Sequence, residues 1–464
     1  MRFLLLMFIA GCSSSCNQPE EEIIGDPTVI AHIERWNSWL EPVDLESKYC
    51  KMSQSPFAFF RGTAHLYWLD LGNDPRLRQF GRDRTKTWLQ GDSHVQNFGS
   101  FNNDQDEVVY DLNDFDEAVI GDYQLDVWRL AISIILMAGE EDEFNASDVN
   151  GAIDAMTEAY LDELDKLEED DGETTAEFKE GNTQEGVSEF LDDVKKENDR
   201  VEMLEKWTDY DIGELRLDTN HEDLEPVTAT EEASILDDLD TYLDSLSGGL
   251  DPAELGTYFD AIDIARRRNQ GLGSLGVPRY YVLIEGEDPD DEWDDRILDI
   301  KLQRSPAASE AFPELANAAP DFQNHAVRVA TGQKALALHV DDHLGHMISG
   351  NEAFSVRERS PWKEALDIDE IEDTKLLNGV ASDWGKILAN AHARADEDFS
   401  SGSIDYNFDR EVEEITDGEH EEFRDLVRSV ARPYSQQVEQ GWLAFEDFVD
   451  TEFDFECDEE EDDG

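Results

Sequence analysis

A short polar segment near residue 90 carries side chains suited to proton transfer and metal binding. It has the sequence GDSHVQN at residues 91–97, and the apolar run that follows ends at Asp111. A carboxylate exposed by a tight loop, such as Asp92, can accept a proton from a reacting hydroxyl group. An asparagine and a later aspartate supply the oxygen ligands that Mg²⁺ shares with phosphate groups. The segment therefore predicts Asp92 as a base and Asn97 and Asp111 as metal ligands.

Other polar residues of this segment have more than one interpretation. Asp114 and Asp116 are alternative metal ligands, but aspartates before a helix also form Asx-turns and helix caps. His94 is expected to brace the loop by bonding a backbone carbonyl or Asp111. Asp126 is interpreted as structural, because it can cap the following helix or bond the Asp92 loop.

A glycine-rich block lies much later in the chain. It reads Gly271-x-Gly273-x-x-Gly276 and is followed by a predicted strand at 280–284, an acidic loop, and a strand at 297–300 that ends at Lys301. Backbone amides in such a turn can cradle phosphates, and a lysine on a neighbouring strand can neutralise them. The alternative is a plain hairpin with a surface lysine.

Residues 91–126 resemble the catalytic segment of aminoglycoside and choline phosphotransferases, which belong to the protein kinase-like superfamily. In that family the first aspartate is the base, and the asparagine and a later aspartate bind magnesium. The resemblance implies these roles for Asp92, Asn97 and Asp111. The chain departs from the family pattern after Asp111, where LNDFD stands at 112–116, so the metal-binding aspartate is ambiguous.

The same resemblance implies a fold and two cofactors. We expect an α+β, two-lobed, protein kinase-like fold, mostly helical with a small antiparallel sheet, that binds ATP and Mg²⁺. In ordinary kinases the glycine-rich lobe precedes the catalytic loop, whereas here it follows. The expected fold therefore has a permuted order of lobes. It also requires the glycine block and Lys301 to share one cleft with Asp92.

Six blocks, in order, resemble the bacterial domain-of-unknown-function family 2252. They are SPFAFFRG at 55–62, GDSH at 91–94, NDFDE at 113–117, DVWRLA at 126–131, GLGSLG at 271–276 and AHAR at 391–394. This resemblance implies no activity, so the function has to be argued from the site itself.

The acidic composition limits the possible partners and environment. The chain has 112 acidic and 37 basic residues and a net charge of −75. At about 1 M salt the Debye length is about 3 Å, which removes most of the repulsion between surface carboxylates. We therefore expect a salt-rich source, with cation binding as a weaker alternative. Because such a surface repels phosphate backbones, nucleic acid is not an expected partner.

The N-terminus is typical of an exported lipoprotein. Arg2 precedes an apolar run from Phe3 to Ala10, and Gly11-Cys12 completes the pattern that a lipoprotein signal peptidase accepts. Cys12 would carry the lipid and tether the protein to a membrane. If the start is misassigned, the protein is expected in the cytoplasm. The remaining cysteines at 16, 50 and 457 allow one disulfide.

The composition suggests a series of regions along the chain. They are a lipoprotein signal and acidic tether at 1–28, a helical region with the catalytic-type segment at 29–140, an acidic helical insertion at 141–250, a glycine-rich strand lobe at 251–320, a helical region at 321–451, and an acidic disordered tail at 452–464. Within the 321–451 region, His339 and His343 are expected four residues apart on a helix, near His346. That spacing indicates either helix surface or a metal site.

Three functional hypotheses follow. The first is a magnesium- and nucleotide-dependent phosphotransferase that acts on a small-molecule acceptor. The second is a non-catalytic ligand-binding lipoprotein that keeps the fold. The third is a metal-assisted phosphoester hydrolase in which Asp92, His94, Asp114 and Asp116 activate water. Export argues against the first hypothesis, because ATP is scarce outside the cytoplasm.

Overall fold

The computed structural model describes residues 27–140, 144–170, 172–211, 214–246, 250, 255–269, 271–288, 291–318, 322–397, 399, 403–453, 455 and 457. Cys12 and the predicted lipoprotein signal lie outside these residues. Within them, the structure contains no helix that is both long and apolar enough to cross a bilayer.

The described part of the chain is a mixture of helices and antiparallel strands. The α-helices are α1 Pro27–Asn37, α2 Pro42–Ser53, α3 Pro56–Gly62, α4 Ala64–Leu71, α5 Gln124–Glu140, α6 Ala146–Asp170, α7 Glu185–Glu197, α8 Arg200–Trp207, α9 Ala229–Asp237, α10 Leu239–Leu243, α11 His325–Leu336, α12 Thr374–Arg394, α13 Phe408–Thr416 and α14 His420–Glu452. The strands are β1 Lys86–Leu89, β2 Phe98–Asn102, β3 Val108–Leu112, β4 Val119–Asp122, β5 Thr208–Asp211, β6 Glu214–Leu217, β7 Leu224–Pro226, β8 Ala261–Arg267, β9 Arg279–Ile284, β10 Arg296–Leu302, β11 Gly345–Ser349, β12 Glu352–Glu358 and β13 Glu364–Ala365.

A helical body surrounds α5. This helix is apolar on nearly every side, and Trp128, Leu130 and Ile132 are fully buried in the largest core cluster. A helix that is apolar all round is stable only when other elements cover it. The helices α3, α6 and α14 pack against α5, while α12 packs closely along α6. Gly385 permits that approach, because a Cβ there would lie 2.1 Å from the carbonyl oxygen of Met156.

A six-stranded antiparallel sheet forms the second part, in the order β11-β12-β10-β9-β8-β7. Its strands alternate their side chains between two faces, as a pleated sheet requires. Tyr280, Val282 and Ile284 of β9 pack in a core cluster with residues of α9 and α10. Tyr281 and Leu283 pack in a different cluster, with α8. The sheet is therefore covered on both faces.

Smaller sheets position the polar segment of the site. The hairpin of β2 and β3 is extended by β13, and β1 pairs with β4. The mixture of helices and antiparallel strands confirms the predicted α+β class. The strands expected at 280–284 and 297–300 are present as β9 and β10, and the apolar run that ends at Asp111 lies in β3.

Two predicted helical regions also contain strands. The 141–250 region contributes β5, β6 and β7, and the region after 321 contributes β11, β12 and β13. The six-stranded sheet therefore crosses the predicted boundaries at 250 and 320. Its edge strand β7 is only three residues long, and β11 has an exposed Ile348, so neither shows a clear apolar alternation in the sequence.

A disulfide joins the two ends of the described chain. Cys50 on α2 is bonded to Cys457, with a Cα–Cα distance of 5.2 Å. Phe453 packs edge-on against Tyr49 and stacks on Phe455. The first part of the predicted disordered tail is thus packed against the body, because it has apolar partners there. Residues 458–464 lie outside the described residues.

Candidate functional site

A cleft lies between the helical body and the six-stranded sheet. It encloses about 820 Å³ of empty space, including its open mouth. Its lining comes from four parts of the chain: Trp36, Trp39 and Lys48; Gln90, Asp92 and Asn97; Asp114, Asp116 and Glu117; and Gly273, Ser274, Val277, Leu302, Gln303, Arg304 and Ser305. A concave site that combines aromatic walls with a few polar and charged groups is suited to a small-molecule ligand.

The loop after β1 is fixed by a buried carboxylate on α5. Asp126 accepts hydrogen bonds from the backbone N–H groups of Gln90, at 2.7 Å, and Gly91, at 3.1 Å. Gly91 has φ +85°, and a Cβ at this position would lie 2.1 Å from the carbonyl oxygen of Glu117. Only glycine fits such a turn without strain. This arrangement confirms the structural role predicted for Asp126.

Asp92 is held by a buried arginine. The Arg129 Nε donates to Asp92 Oδ1 at 2.5 Å, and the guanidinium lies 4.1 Å from the ring centroid of Phe60. Burial raises the pKa of Asp92 to about 6, and the attraction of Arg129 opposes that rise. Asp92 is therefore ionised above about pH 6 and is able to accept a proton at neutral pH.

His94 does not brace the loop in the expected way. Its Nε2 lies 3.8 Å from Asp92 Oδ2, and its ring meets Phe57 edge-on. Burial, together with the nearby Arg61 and Arg129, lowers the pKa of His94 well below its ordinary value. His94 is thus a neutral, packed side chain beside Asp92, and among the described residues it bonds neither Asp111 nor a backbone carbonyl.

The structure places Asn97 and Asp114 together at the cleft. Asn97 Nδ2 donates to the backbone oxygen of Asp92 at 2.9 Å, which fixes the side chain beside the base. The carbonyl oxygen of Asp114 accepts from Gln90 Nε2 at 2.7 Å. Burial disfavours the charged form of Asp114, but Lys301, the N–H of Asp116, Arg357 and Lys363 together outweigh burial and lower the pKa of Asp114 below its ordinary value. Asp114 is an ionised oxygen donor in the cleft that Asn97 also lines.

Asp111 lies outside the lining of the cleft. It is buried on β3, where its Oδ1 accepts from the N–H of Leu112 at 2.8 Å, and it is not among the residues that line the cleft. Burial raises the pKa of Asp111 to about 6, and its attraction to Arg394 opposes this. Asp111 was predicted as a metal ligand together with Asn97, but Asp114, from the loop after β3, is the aspartate that lines the cleft with Asn97.

Lys301 connects the sheet to the catalytic-type segment. It lies near the end of β10, is 7% exposed, forms an ion pair with Asp116 Oδ2 and donates a hydrogen bond to Ser274 Oγ. Asp116 Oδ1 also accepts from Gln303 Nε2 at 2.9 Å. Since Ser274, Asp116 and Gln303 all line the cleft, Lys301 lies directly behind its wall. Lys301 therefore meets the early acidic segment at Asp116, but its side chain does not itself line the cleft that Asp92 lines.

The three glycines have different positions. Gly273 lines the cleft next to Ser274, whereas Gly271 is exposed and does not line it. Gly276 has φ +78°, and a Cβ there would meet Leu40 at 2.4 Å. Gly276 therefore permits the turn to approach the segment before α2, and Gly273 is the glycine of this block that lines the cleft.

Several lining residues were not predicted. Lys48 is buried, and burial together with Arg304 lowers its pKa to about 8. The Arg304 guanidinium lies 3.5 Å from the ring centroid of Trp39. Burial also raises the pKa of Glu117 to about 7. One sequence signal was present, because Lys48 is one of only thirteen lysines in the chain.

The predicted histidine cluster is not on a helix. His339 has φ +51° after the end of α11, and His346 lies on β11. His343 is buried, where its Nδ1 lies 2.8 Å from Asp341 Oδ1 and its Nε2 lies 2.8 Å from the hydroxyl of Tyr258. Asp341, His343 and Glu358 could together hold a metal ion by distance. Both ring nitrogens of His343 are already hydrogen-bonded, so this is a satisfied buried network.

Comparison with known proteins gives one family. No curated protein and no solved structure matches the chain. The family model described as "Uncharacterized protein conserved in bacteria (DUF2252)" matches residues 40–448, which include every residue that lines the cleft from Lys48 to Ser305. The chain belongs to this bacterial family.

Proposed function

We propose that this protein is a kinase-like phosphotransferase that uses a nucleotide and magnesium to phosphorylate a small-molecule acceptor. One observation carries the proposal. Lys301 bonds both Ser274 of the glycine-rich turn and Asp116 of the acidic loop, directly behind the wall of the cleft that Asp92 and Asn97 line. A lysine behind a glycine-rich turn, opposite a base and an oxygen ligand, is the arrangement that phosphoryl transfer requires.

The order of elements in the sheet supports a kinase-like lobe. The glycine-rich turn joins β8 to β9, Lys301 lies on the next strand, β10, and α11 separates β10 from β11. In protein kinases a glycine-rich loop is likewise followed by a strand with the phosphate-pairing lysine and then by a helix. Here this lobe follows the catalytic-type loop along the chain, so the proposed fold has a permuted order.

We assign Asp92 as the general base. Its carboxylate is ionised above about pH 6, and it lines the cleft within reach of an acceptor hydroxyl group. Arg129 fixes the orientation of the carboxylate from behind, which favours a single productive geometry.

The residues present fit a magnesium ion. Asn97 offers an amide oxygen and Asp114 an ionised carboxylate, and hard oxygen donors of this kind suit Mg²⁺. When bound, magnesium would neutralise negative charge on the phosphate oxygens. Asp116 is already paired with Lys301 and Gln303, so we assign it to hold the lysine in place.

The part of the cleft that contains Gly273, Lys48 and Arg304 is suited to an anionic substrate. Gly273 offers close backbone approach, and Lys301, Lys48 and Arg304 place positive charge along or behind the wall. In a chain with a net charge of −75, a local concentration of cations attracts a phosphorylated ligand and leaves most of the surface repulsive to it.

Two observations favour a second candidate, a binding protein that retains the cleft without the reaction. The Asp92–Arg129 ion pair reduces the basicity of the carboxylate. The Cys50–Cys457 disulfide suits an oxidising compartment, where the proposed lipid anchor at Cys12 would place the protein and where ATP is scarce.

Binding and turnover measured on the same variants separate these candidates. We would measure ATP affinity by calorimetry with Mg²⁺ at high salt, and ADP formation with a panel of small alcohols and amines. Asp92→Asn should retain nucleotide affinity and lose turnover by about 100-fold or more. Binding without turnover in the wild type would favour the binding protein. Phosphate release from simple esters without any acceptor would favour the hydrolase, and absence of nucleotide binding would refute the proposal.

A further inference from the structure

A second cleft lies behind the acidic loop. It encloses about 530 Å³ of empty space and is lined by residues of β2, the loop after β3, α11 and the end of β12. The loop at 112–117 separates the two clefts. Different residues of this loop face the two clefts: Asp114, Asp116 and Glu117 line the first cleft, and Leu112, Asn113 and Phe115 line the second.

Positive charge is concentrated around this second cleft. Arg357, Arg359 and Lys363 line it, and Arg279 lies close to Lys363. Asp299 is the carboxylate that contacts two of these basic groups, Arg279 and Arg357. Its oxygens are bonded by Arg279, at 2.6 Å from Nε, and lie 3.9 Å from Arg357 Nε.

The other lining carboxylates are engaged elsewhere. Glu358 pairs with Arg200 and lies 3.4 Å from Arg296 Nε. Asp341 bonds His343 and the backbone N–H of Glu358. Neither is therefore available to neutralise the arginines and the lysine that face the cleft.

Lys363 shows most clearly that the positive charge around the second cleft is not neutralised. No carboxylate of the described residues forms an ion pair with its ammonium group. Burial and the guanidinium groups of Arg357, Arg279 and Arg359 lower the pKa of Lys363 well below its ordinary value. Gathering like charges in a partly enclosed site is unfavourable unless an anion joins them.

We propose that the second cleft binds a phosphate-type anion, held by Arg357, Arg359 and Lys363. The planar guanidinium groups can each donate two hydrogen bonds to a phosphate, and the lysine adds a point charge. Two sources share this chemistry, a free phosphate and the phosphate of a nucleotide. The inference is independent of the proposed phosphotransfer, because it concerns only binding at the far side of the loop.

Calorimetric titration of the full chain tests this site. Inorganic phosphate and ADP would be titrated separately, without magnesium and at one fixed salt concentration, into wild type, Lys363→Gln and Lys363→Arg. Lys375→Gln is the matched control, because it removes an exposed lysine that is paired with Glu185 and lines neither cleft. We expect Lys363→Gln to weaken phosphate-type binding at least about tenfold, as the loss of a charge-assisted hydrogen bond predicts. Lys363→Arg should restore most of the affinity.

The two titrants identify the source of the anion. If Lys363→Gln weakens the binding of inorganic phosphate but not that of ADP, the second cleft binds free phosphate. If Lys363→Gln also weakens the binding of ADP, the second cleft binds the phosphate of a nucleotide. Thermal unfolding of each variant would establish that it is folded. The proposal is overturned if neither titrant binds the wild type, or if Lys363→Gln binds both titrants as tightly as the wild type and Lys375→Gln do.

Discussion

The buried Lys301 and the partly exposed Asp116 form an ion pair that ties the six-stranded sheet to the loop after β3. Ser274 shares the same ammonium group, so the glycine-rich turn is part of this link. The three residues come from segments that are far apart in the sequence. Their meeting brings the phosphate-binding and base-bearing parts of the proposed site into a single cleft.

Asp114 and Asp111 should differ sharply as magnesium ligands. Asp114 lines the cleft near Asn97, whereas Asp111 is buried on β3. We expect Asp114→Asn to weaken magnesium-dependent ATP binding at least about tenfold, because it removes an anionic ligand. Asp111→Asn is the matched control and should leave that affinity unchanged. Calorimetry with and without Mg²⁺ measures both, and equal losses in the two variants would contradict the assignment.

Turnover should fall as the pH drops through about 6. The base must be ionised, and burial raises the pKa of Asp92 to about 6. Below that value the ionised fraction decreases about tenfold per pH unit, so kcat/KM should follow the same slope. Steady-state rates between pH 5 and pH 8 measure this. A rate that stays constant down to pH 5, with the protein still folded, would exclude Asp92 as the base.

Glu117 should make the protein less stable as the pH rises, whereas an ordinary ion-paired acid makes a protein more stable as the pH rises. Burial raises the pKa of Glu117 to about 7 in the folded state, so the folded state binds more protons than the unfolded state between about pH 4.5 and pH 7. Its contribution to stability is therefore lost as the pH rises through that window. Glu117→Gln should raise the melting temperature at pH 8 and have little effect at pH 5. A lower melting temperature at pH 8 would show that the carboxylate is needed in its charged form.

The disulfide between Cys50 and Cys457 should contribute strongly to stability. It closes a segment with a sequence separation of 407 residues, and removal of such a link typically costs about 2–5 kcal/mol. We expect Cys50→Ser and the reduced wild type to unfold at lower denaturant concentration than the oxidised wild type. Cys16→Ser serves as the control and should behave like wild type. Unfolding curves that do not change on reduction would contradict the pairing.

Local sequence patterns predicted the elements that have clear periodicity or boundaries. The apolar runs of β3 and β10 end at charged residues, and α5 is a long apolar helix, so each was recognisable. The strand β11 was not, because its histidine and exposed isoleucine hide the alternation. Edge strands need fewer buried residues than central ones, so the sequence carries a weaker signal for them.

The sequence predicted which types of residue form the site, but it did not predict how they are arranged in space. Spacing alone could not distinguish Asp111 from Asp114, since both follow the asparagine at plausible distances along the chain. The distinction comes from the direction in which the loop after β3 turns, and that direction depends on contacts with Arg357 and Arg328 from the other part of the chain. Such long-range contacts leave no periodic pattern in the sequence.

The most direct test of the phosphotransferase proposal is the affinity of a non-hydrolysable ATP analogue with Mg²⁺ for wild type and Lys301→Met, measured by calorimetry at high salt. Lys375→Met, which removes an exposed lysine paired with Glu185, is the control. The proposed site predicts binding to wild type and to the control, and a loss of at least about tenfold in Lys301→Met. No binding to wild type, or equal binding to all three proteins, would contradict it.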